Sequence, residues 1–163
     1  MNRPSWNEYF MGLAFAIAQR SEDPHGTKHG CIIVDNHNHI VGTGYNSFMR
    51  GVNSQVFPQT RPAKYPWMIH SEINAVSNCT VNLWTIPDGA TAYVTGRCCN
   101  NCLQHLWQNH VTSVYMAKRY ATQQETKKAI KDFNLIVEQT RMQVRWMEPD
   151  VAWLHNIKTE GSK

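Results

Sequence analysis

No run of about 18 apolar residues occurs in this chain, which excludes a membrane-spanning helix. Met1-Asn2-Arg3-Pro4 lacks the basic start and apolar stretch of a secretory signal, so the expected location is the cytoplasm. Internal repeats, low-complexity tracts and linker-like segments are absent. Charge is sparse, at 17% of residues, with a net excess of only +4. That excess suits a phosphorylated small molecule and is too weak to imply nucleic acid by itself. Cysteines are too few and too bunched for a disulfide framework. There are five, an odd number, and Cys98, Cys99 and Cys102 lie where geometry disfavours mutual bridges. Such a pattern fits metal-bound thiolates in a reducing compartment. What is present, 163 residues of which 42% are hydrophobic, is enough for one domain over 1–163 with a sizeable core.

The chemistry-bearing pattern is His70-Ser71-Glu72 followed later by Cys99-Asn100-Asn101-Cys102. One imidazole and two thiolates suit Zn²⁺, and three protein ligands leave a fourth tetrahedral position for water. Structural zinc sites normally take four protein ligands, so a set of three points to catalysis. Bound zinc lowers the pKa of its water to about 7. Glu72 is close enough in sequence to His70 to move protons without binding the metal. The alternative is a zinc that only stabilises the fold, with Cys98 or another histidine as fourth ligand.

Ser5-Trp6-Asn7-Glu8 reads as a capping box, and Trp6, Tyr9, Phe10, Leu13, Ala14 and Ile17 continue as one helical face. Residues 31–34 and 39–45 read as a hairpin around a turn at Asp35–Asn38. Residues 46–69 hold three prolines and little periodicity, and a loop this long in a compact domain, 47–69 at its core, is usually functional. A helix from Ser71 to Cys79 has Ile73, Val76 and Cys79 inward. A strand at 91–95, a helix opened by the cysteine pair, a strand at 112–117, a helix from Thr122 to about Gln139 and a strand at 143–147 follow. Ala129, Ile130, Phe133, Ile136 and Val137 form the stripe of that last helix. Residues 156–163 read as a flexible tail. The order α-β-β-α-β-α-β-α-β implies an α/β fold with a five-stranded mixed sheet and helices on its faces.

H-x-E followed by P-C-x-x-C is the signature of zinc nucleobase deaminases, matched here with Ser71 between His and Glu and Cys98 at the proline position. Cys98 is read as a buried small residue, since the C-x-x-C spacing fits Cys99 and Cys102. Arg20-Ser21-Glu22-Asp23-Pro24 resembles the R-S-x-D-P loop of the deoxycytidylate (dCMP) deaminase family, which includes phage and viral members. Gly42-Thr43-Gly44-Tyr45-Asn46 resembles its G-x-G-Y-N-G segment, with Ser47 for the last glycine. Lys64-Tyr65-Pro66 and His70-Ser71-Glu72-Ile73-Asn74-Ala75 resemble its K-Y-P…H-A-E-x-N-A run.

The resemblance implies the three-layer cytidine deaminase-like fold and hydrolysis of dCMP to dUMP and ammonia, supplying the precursor of thymidylate. Glu72 would shuttle protons, and backbone N–H groups near Ser71 and Cys99 would hold the base. Asn46 would grip the sugar hydroxyl, although an asparagine after a strand also serves as a turn residue. Arg20 and Ser21 are candidates for the phosphate, against an ordinary helix-end arginine and loop serine. Tyr120 is placed near the substrate, against a plain surface tyrosine. His29 stands where the family commonly has an apolar residue, and it reads as a packed histidine. The family assembles as hexamers. Many members are activated by dCTP with Mg²⁺ and inhibited by dTTP, at a site the resemblance puts near Gly42, Gly44, Tyr45 and Arg50. Paired glycines also occur simply in twisted or bulged strands. Competing readings are a deaminase of dCTP, cytidine or tRNA adenosine, and a non-catalytic zinc-stabilised binding module.

Overall fold

The computed structural model describes residues 3–23, 26–82, 84–117 and 127–156. The tail expected over 156–163 falls, from residue 157 on, outside them, as does Tyr120. Helix α1 (Trp6–Ala18) opens on the expected capping box: the Glu8 N–H donates to Ser5 Oγ at 3.3 Å, and the Ser5 N–H donates to Glu8 Oε2 at 2.9 Å. The chain continues through β1 (Gly30–Val34), β2 (Ile40–Tyr45), α2 (Ser71–Val81), β3 (Ala90–Val94), α3 (Asn100–Gln108), β4 (Val111–Ala117), α4 (Lys127–Thr140) and β5 (Gln143–Met147). This is the order read from the sequence.

The five strands form one sheet in the order β2-β1-β3-β4-β5. β1 runs antiparallel to both neighbours, and β3, β4 and β5 run parallel. Alternation along each central strand divides the core between the two faces. Cys31 and Ile33 of β1 join Ala92, Val94, Val114 and Met116 in the larger cluster, which α2, α3 and α4 cover. Ile32 and Val34 point the other way, into a cluster with Phe10, Met11 and Ala14 of α1. Strands buried on both faces lose the polar alternation of half-exposed ones, which is why β1 reads as a continuous apolar run. The result is three layers, α/β/α.

Two details of the helices differ from the sequence reading. The inward face of α2 is Glu72, Ala75, Val76 and Cys79, with Ile73 only at its margin. The reason is the strand beneath. Gly42 and Gly44 of β2 lie under Ala75 and Ser71 so closely that a Cβ at Gly42 would stand 2.6 Å from Ala75 O, and one at Gly44 2.3 Å from Ala75 N and Ser71 O. The small Ala75 can enter that contact and the branched Ile73 cannot. In α4, Ile130 is exposed rather than inward, while Phe133 is buried and Ile136 and Val137 pack at the core margin.

The irregular segment after β2 is closed at its base. Ser47 and Ile69 exchange backbone hydrogen bonds of 3.1 and 2.7 Å. Inside it, Phe57 stacks between Phe48 (5.6 Å) and Trp67 (4.9 Å). Lys64, 1% exposed, is buried against Asp23 of the segment that follows α1, as a hydrogen-bonded ion pair. A buried charge is tolerated only when paired in this way. The pair fastens the loop to the body of the molecule.

Gly44→Ala places a methyl group against helix backbone, which has no rotamer with which to give way. The expected cost is at the upper end of the roughly 1–3 kcal/mol typical of overpacking. It should appear as a lower Tm together with reduced metal content, because α2 carries His70. A Gly44→Ala protein with the parent's Tm and metal content would contradict this seating of the helix.

Candidate active site

Both ligand-bearing segments end at helix N-termini. His70 is the N-cap residue of α2 and Cys99 that of α3, each with extended backbone before the first turn. The Cys99 sulfur acts as the cap itself, accepting a hydrogen bond from the Cys102 N–H at 3.4 Å. Cys102, one turn on, presents its sulfur to the same point. His70 Nδ1 lies 3.5 Å from Cys99 Sγ and 3.3 Å from Cys102 Sγ, and the three ligand atoms all lie within 4.8 Å of one another.

Tetrahedral bonds of about 2.3 Å to sulfur and about 2.0–2.1 Å to nitrogen hold their ligand atoms roughly 3.6 Å apart. The imidazole nitrogen therefore stands from each sulfur at close to the separation a single zinc ion needs. Among the described residues no other group of three or more His, Cys, Asp or Glu converges in this way. Cys102 is buried, Cys99 half-buried and His70 exposed, so the set faces solvent on the imidazole side.

The electrostatics favour a thiolate at Cys99, while hydrogen bonds with Cys98 and Cys99 and burial push the Cys102 thiol well above its ordinary range. A hydrogen bond from Cys102, reinforced by one from His70, lowers the Cys99 pKa to about 4. The hydrogen bond with Cys99 raises that of His70, so the pair stabilises opposite charges. Two helix N-termini add partial positive charge at the same point. Cys98 is fully buried behind the ligands, as the sequence reading held. A hydrogen bond with Cys102 lowers its pKa, but burial and Glu72 outweigh that and push the thiol up to about 12. Cys98 stays a neutral thiol under the site, and the converging set is His70, Cys99 and Cys102.

Glu72 lies in the first turn of α2, 4% exposed, and accepts a hydrogen bond from Ser71 Oγ at 2.9 Å. Its carboxylate opens with His70, Ser71 and Cys99 onto a cavity of about 330 Å³. This is within the usual range for small-molecule sites, about 300–1,000 Å³. The rest of the wall comes from three places. The closed loop contributes Arg61, Lys64, Tyr65 and Met68. The segments flanking β1 and β2 contribute Asp23, Thr27, His29 and Asn46. Arg97 precedes the cysteines and lies over the Phe133 ring at 4.4 Å.

The residues expected at the substrate are not all gathered here. Asn46 is in the wall. Its Oδ1 accepts from the His29 N–H at 2.7 Å, its Nδ2 donates to Thr27 O at 3.2 Å, and its backbone carbonyl accepts from Ser21 Oγ at 2.8 Å. Ser21 is thus buried behind Asn46 and holds it, rather than lining the cavity. Arg20 is exposed past the end of α1, outside the lining. Gly42 and Gly44 face α2. Tyr45 and Arg50 line a second, separate cavity of about 210 Å³ with Glu22, Ser47, Asn74 and Asn78, where Arg50 donates to Asn78 Oδ1 at 2.8 Å.

Sequence reading did not single out Arg61, Arg97, Met68 or Thr27, which sit in irregular chain where no periodicity marks a face. Lys64 and Asp23 stand in the sequence within the Lys64-Tyr65-Pro66 and Arg20–Pro24 motifs, which do not mark them as a pair. His29 lines the cavity, half-buried. Burial lowers its pKa against the opposing pull of Glu72, and His70 and Arg61 lower it further.

Comparison with known proteins agrees with this geometry. A family model described as the cytidine and deoxycytidylate deaminase zinc-binding region matches residues 4–118. A human deoxycytidylate deaminase is 37% identical over 137 residues, covering 80% of this chain and 75% of the human one. A deoxycytidylate deaminase of Mycobacterium phage D29 is 34% identical over 115 residues, covering 63% of this chain and 86% of the phage protein. The crystal structure of a cyanophage S-TIM5 dCMP deaminase, in complex with dCMP and dUMP, shares the fold with a TM-score of 0.66 at 24% identity, over 90% of this chain and all of that one (100%). With one imidazole and two thiolates converging at paired helix starts, and a family match over most of its length, the chain belongs to the cytidine and deoxycytidylate deaminase zinc-binding family.

Proposed function

We propose that this chain hydrolyses dCMP to dUMP and ammonia. The observation that carries the reading is the placement of Glu72, a buried carboxylate opening onto the same cavity as three converging metal ligands. His70, Cys99 and Cys102 would hold zinc, which when bound would lower the pKa of a water to about 7. Glu72 takes a proton at its carboxylate, delivers it to ring N3, and then helps protonate the amino group as the C4–N bond breaks and ammonia leaves. Water adds its oxygen at C4, so dCMP and water balance dUMP and ammonia. One carboxylate can serve both directions because it is held by Ser71 Oγ beside the reacting atoms. Backbone N–H groups near Ser71 and Cys99 would hold the base as fixed donors.

A nucleotide suits the cavity better than a nucleoside. Asp23 neutralises Lys64, and Arg61 and Arg97 add positive charge to the same wall. Guanidinium groups grip phosphate through paired hydrogen bonds. Arg61 and Arg97 lie in the wall where Arg20 and Ser21, the phosphate candidates of the sequence, do not; Tyr120 remains a candidate near the substrate and Asn46 the candidate for the sugar hydroxyl. Relatives from human and phage sources described as deoxycytidylate deaminases support this substrate.

Regulation is part of the same proposal: a hexamer in the cytoplasm, activated by dCTP with Mg²⁺ and inhibited by dTTP. In support, the second cavity holds Tyr45 and Arg50 beside the base of α2, the helix that bears Glu72. There Arg50 would meet the triphosphate, while Gly42 and Gly44 would act through the close strand–helix contact.

Glu72→Gln should retain a full zinc complement and lose a factor of roughly 10²–10⁴ in turnover, the range general acid–base groups supply. Cys99→Ser should be purified with substoichiometric zinc. An ammonia-release assay over dCMP, dCTP, cytidine and single-stranded DNA, with metal analysis of each variant, reads all of this together. Near-parental turnover in Glu72→Gln would falsify the proton-shuttle role, and full zinc in Cys99→Ser would overturn the ligand set. In the same assay dCTP should raise and dTTP should lower the rate with dCMP. Rates indifferent to both at millimolar levels would remove the regulatory part and leave the chemistry standing.

A further inference from the structure

His29 lines the main cavity with a polar side chain seated in space that Gly96 leaves vacant. A Cβ built on Gly96 would stand 2.4 Å from the Cε1 and 2.6 Å from the Nδ1 of His29, so the imidazole occupies the volume that any side chain at 96 would need. The backbone on either side of the ring is fixed. Asn46 clamps residue 29 twice, by the Oδ1 contact at 2.7 Å and by donating its own N–H to His29 O at 3.1 Å. One residue on, the Gly30 N–H donates to Thr95 Oγ1 at 2.9 Å, and Gly30 O accepts from the Thr95 N–H at 3.0 Å. The segment carrying the ring and the segment carrying its seat are therefore tied together. A side chain on so fixed a backbone is placed before any ligand arrives, and such preorganisation favours a contact that discriminates.

The ring shares its cavity with Glu72 and His70, where the base would react, and with Arg61, which suits phosphate. The backbone N–H of His29 is bonded to Asn46, the candidate for the sugar hydroxyl. An imidazole beside Asn46 in this wall has the oxygens of a bound nucleotide's sugar and phosphate as the groups on offer. We propose that His29 is a specificity-determining residue that hydrogen-bonds an oxygen of the sugar–phosphate portion of the substrate. This rests on the nucleotide reading given above. It assigns no proton transfer to His29, since Glu72 suffices for that.

The test is steady-state kinetics with dCMP and deoxycytidine for the parent enzyme and for His29→Ala, His29→Phe and His29→Gln, with zinc content and Tm for each. Loss of one neutral hydrogen bond is worth a factor of roughly 2 to 10. His29→Ala and His29→Phe should both raise KM for dCMP by about that factor while kcat, zinc and Tm hold. His29→Gln should recover part of the loss. A rise confined to dCMP identifies a phosphate oxygen, and a rise with both substrates identifies a sugar oxygen. Gly96→Ala, which drives a methyl group into the ring, should reproduce the KM effect in the parent and add nothing to His29→Ala. If His29→Phe matches the parent, the ring only fills the space over Gly96 and the proposal fails. It fails equally if His29→Ala leaves KM unchanged. A parent enzyme inactive on dCMP overturns the nucleotide reading itself, a result separable from either of these.

Discussion

The contact between α2 and β2 is the constraint on which the rest of the molecule depends. A helix lies on a sheet at a distance set by the side chains between them, and here two glycines remove those side chains. α2 sinks until its backbone touches the strand, and Asn74 and Asn78 complete the seam by donating to Tyr45 O at 2.8 Å and Thr43 O at 2.7 Å. That depth fixes where His70 and Glu72 emerge, and through them where Cys99 and Cys102 must meet them. α3 reaches the same point because β2 and β3 run in the same direction, so the chain leaves both strands at the same end of the sheet before entering α2 and α3.

Much of this was legible in the sequence, for reasons that differ by region. The capping box at Ser5 and Glu8, the apolar run of β1 and the C-x-x-C spacing are local patterns with local causes, and each element formed where the pattern lay. The metal ligands were legible because coordination chemistry restricts residue type and spacing so severely. The inward face of α2 was not, because helical periodicity favours the bulkiest apolar residue, and the glycines of a strand distant in sequence decided otherwise. Ile130 was assigned to the core on the same periodicity, but α4 turns Phe133 toward Arg97 instead. The cavity wall was the least legible part. Arg61, Arg97 and His29 belong to no repeating pattern, and only tertiary closure brings them to Glu72.

Charge is handled differently at the two ends of the cavity. At the metal end, thiolates and a carboxylate sit at helix starts, where backbone dipoles offset their desolvation. At the far end the charges are side chains alone. Lys64 and Asp23 pair with one another in a nearly dry setting and hold the loop, and Arg61 adds positive charge to the same wall.

The way the long segment between β2 and α2 is fastened has an evolutionary consequence. Its two ends are joined by Ser47 and Ile69, and its far part is staked by Lys64. Residues between those points can lengthen, shorten or change composition without moving the helix that bears the chemistry. Such an arrangement separates what the molecule does from what it admits. Descendants of one scaffold can diversify their diets by exchanging a cap, while the hydrolytic machinery beneath it is inherited intact.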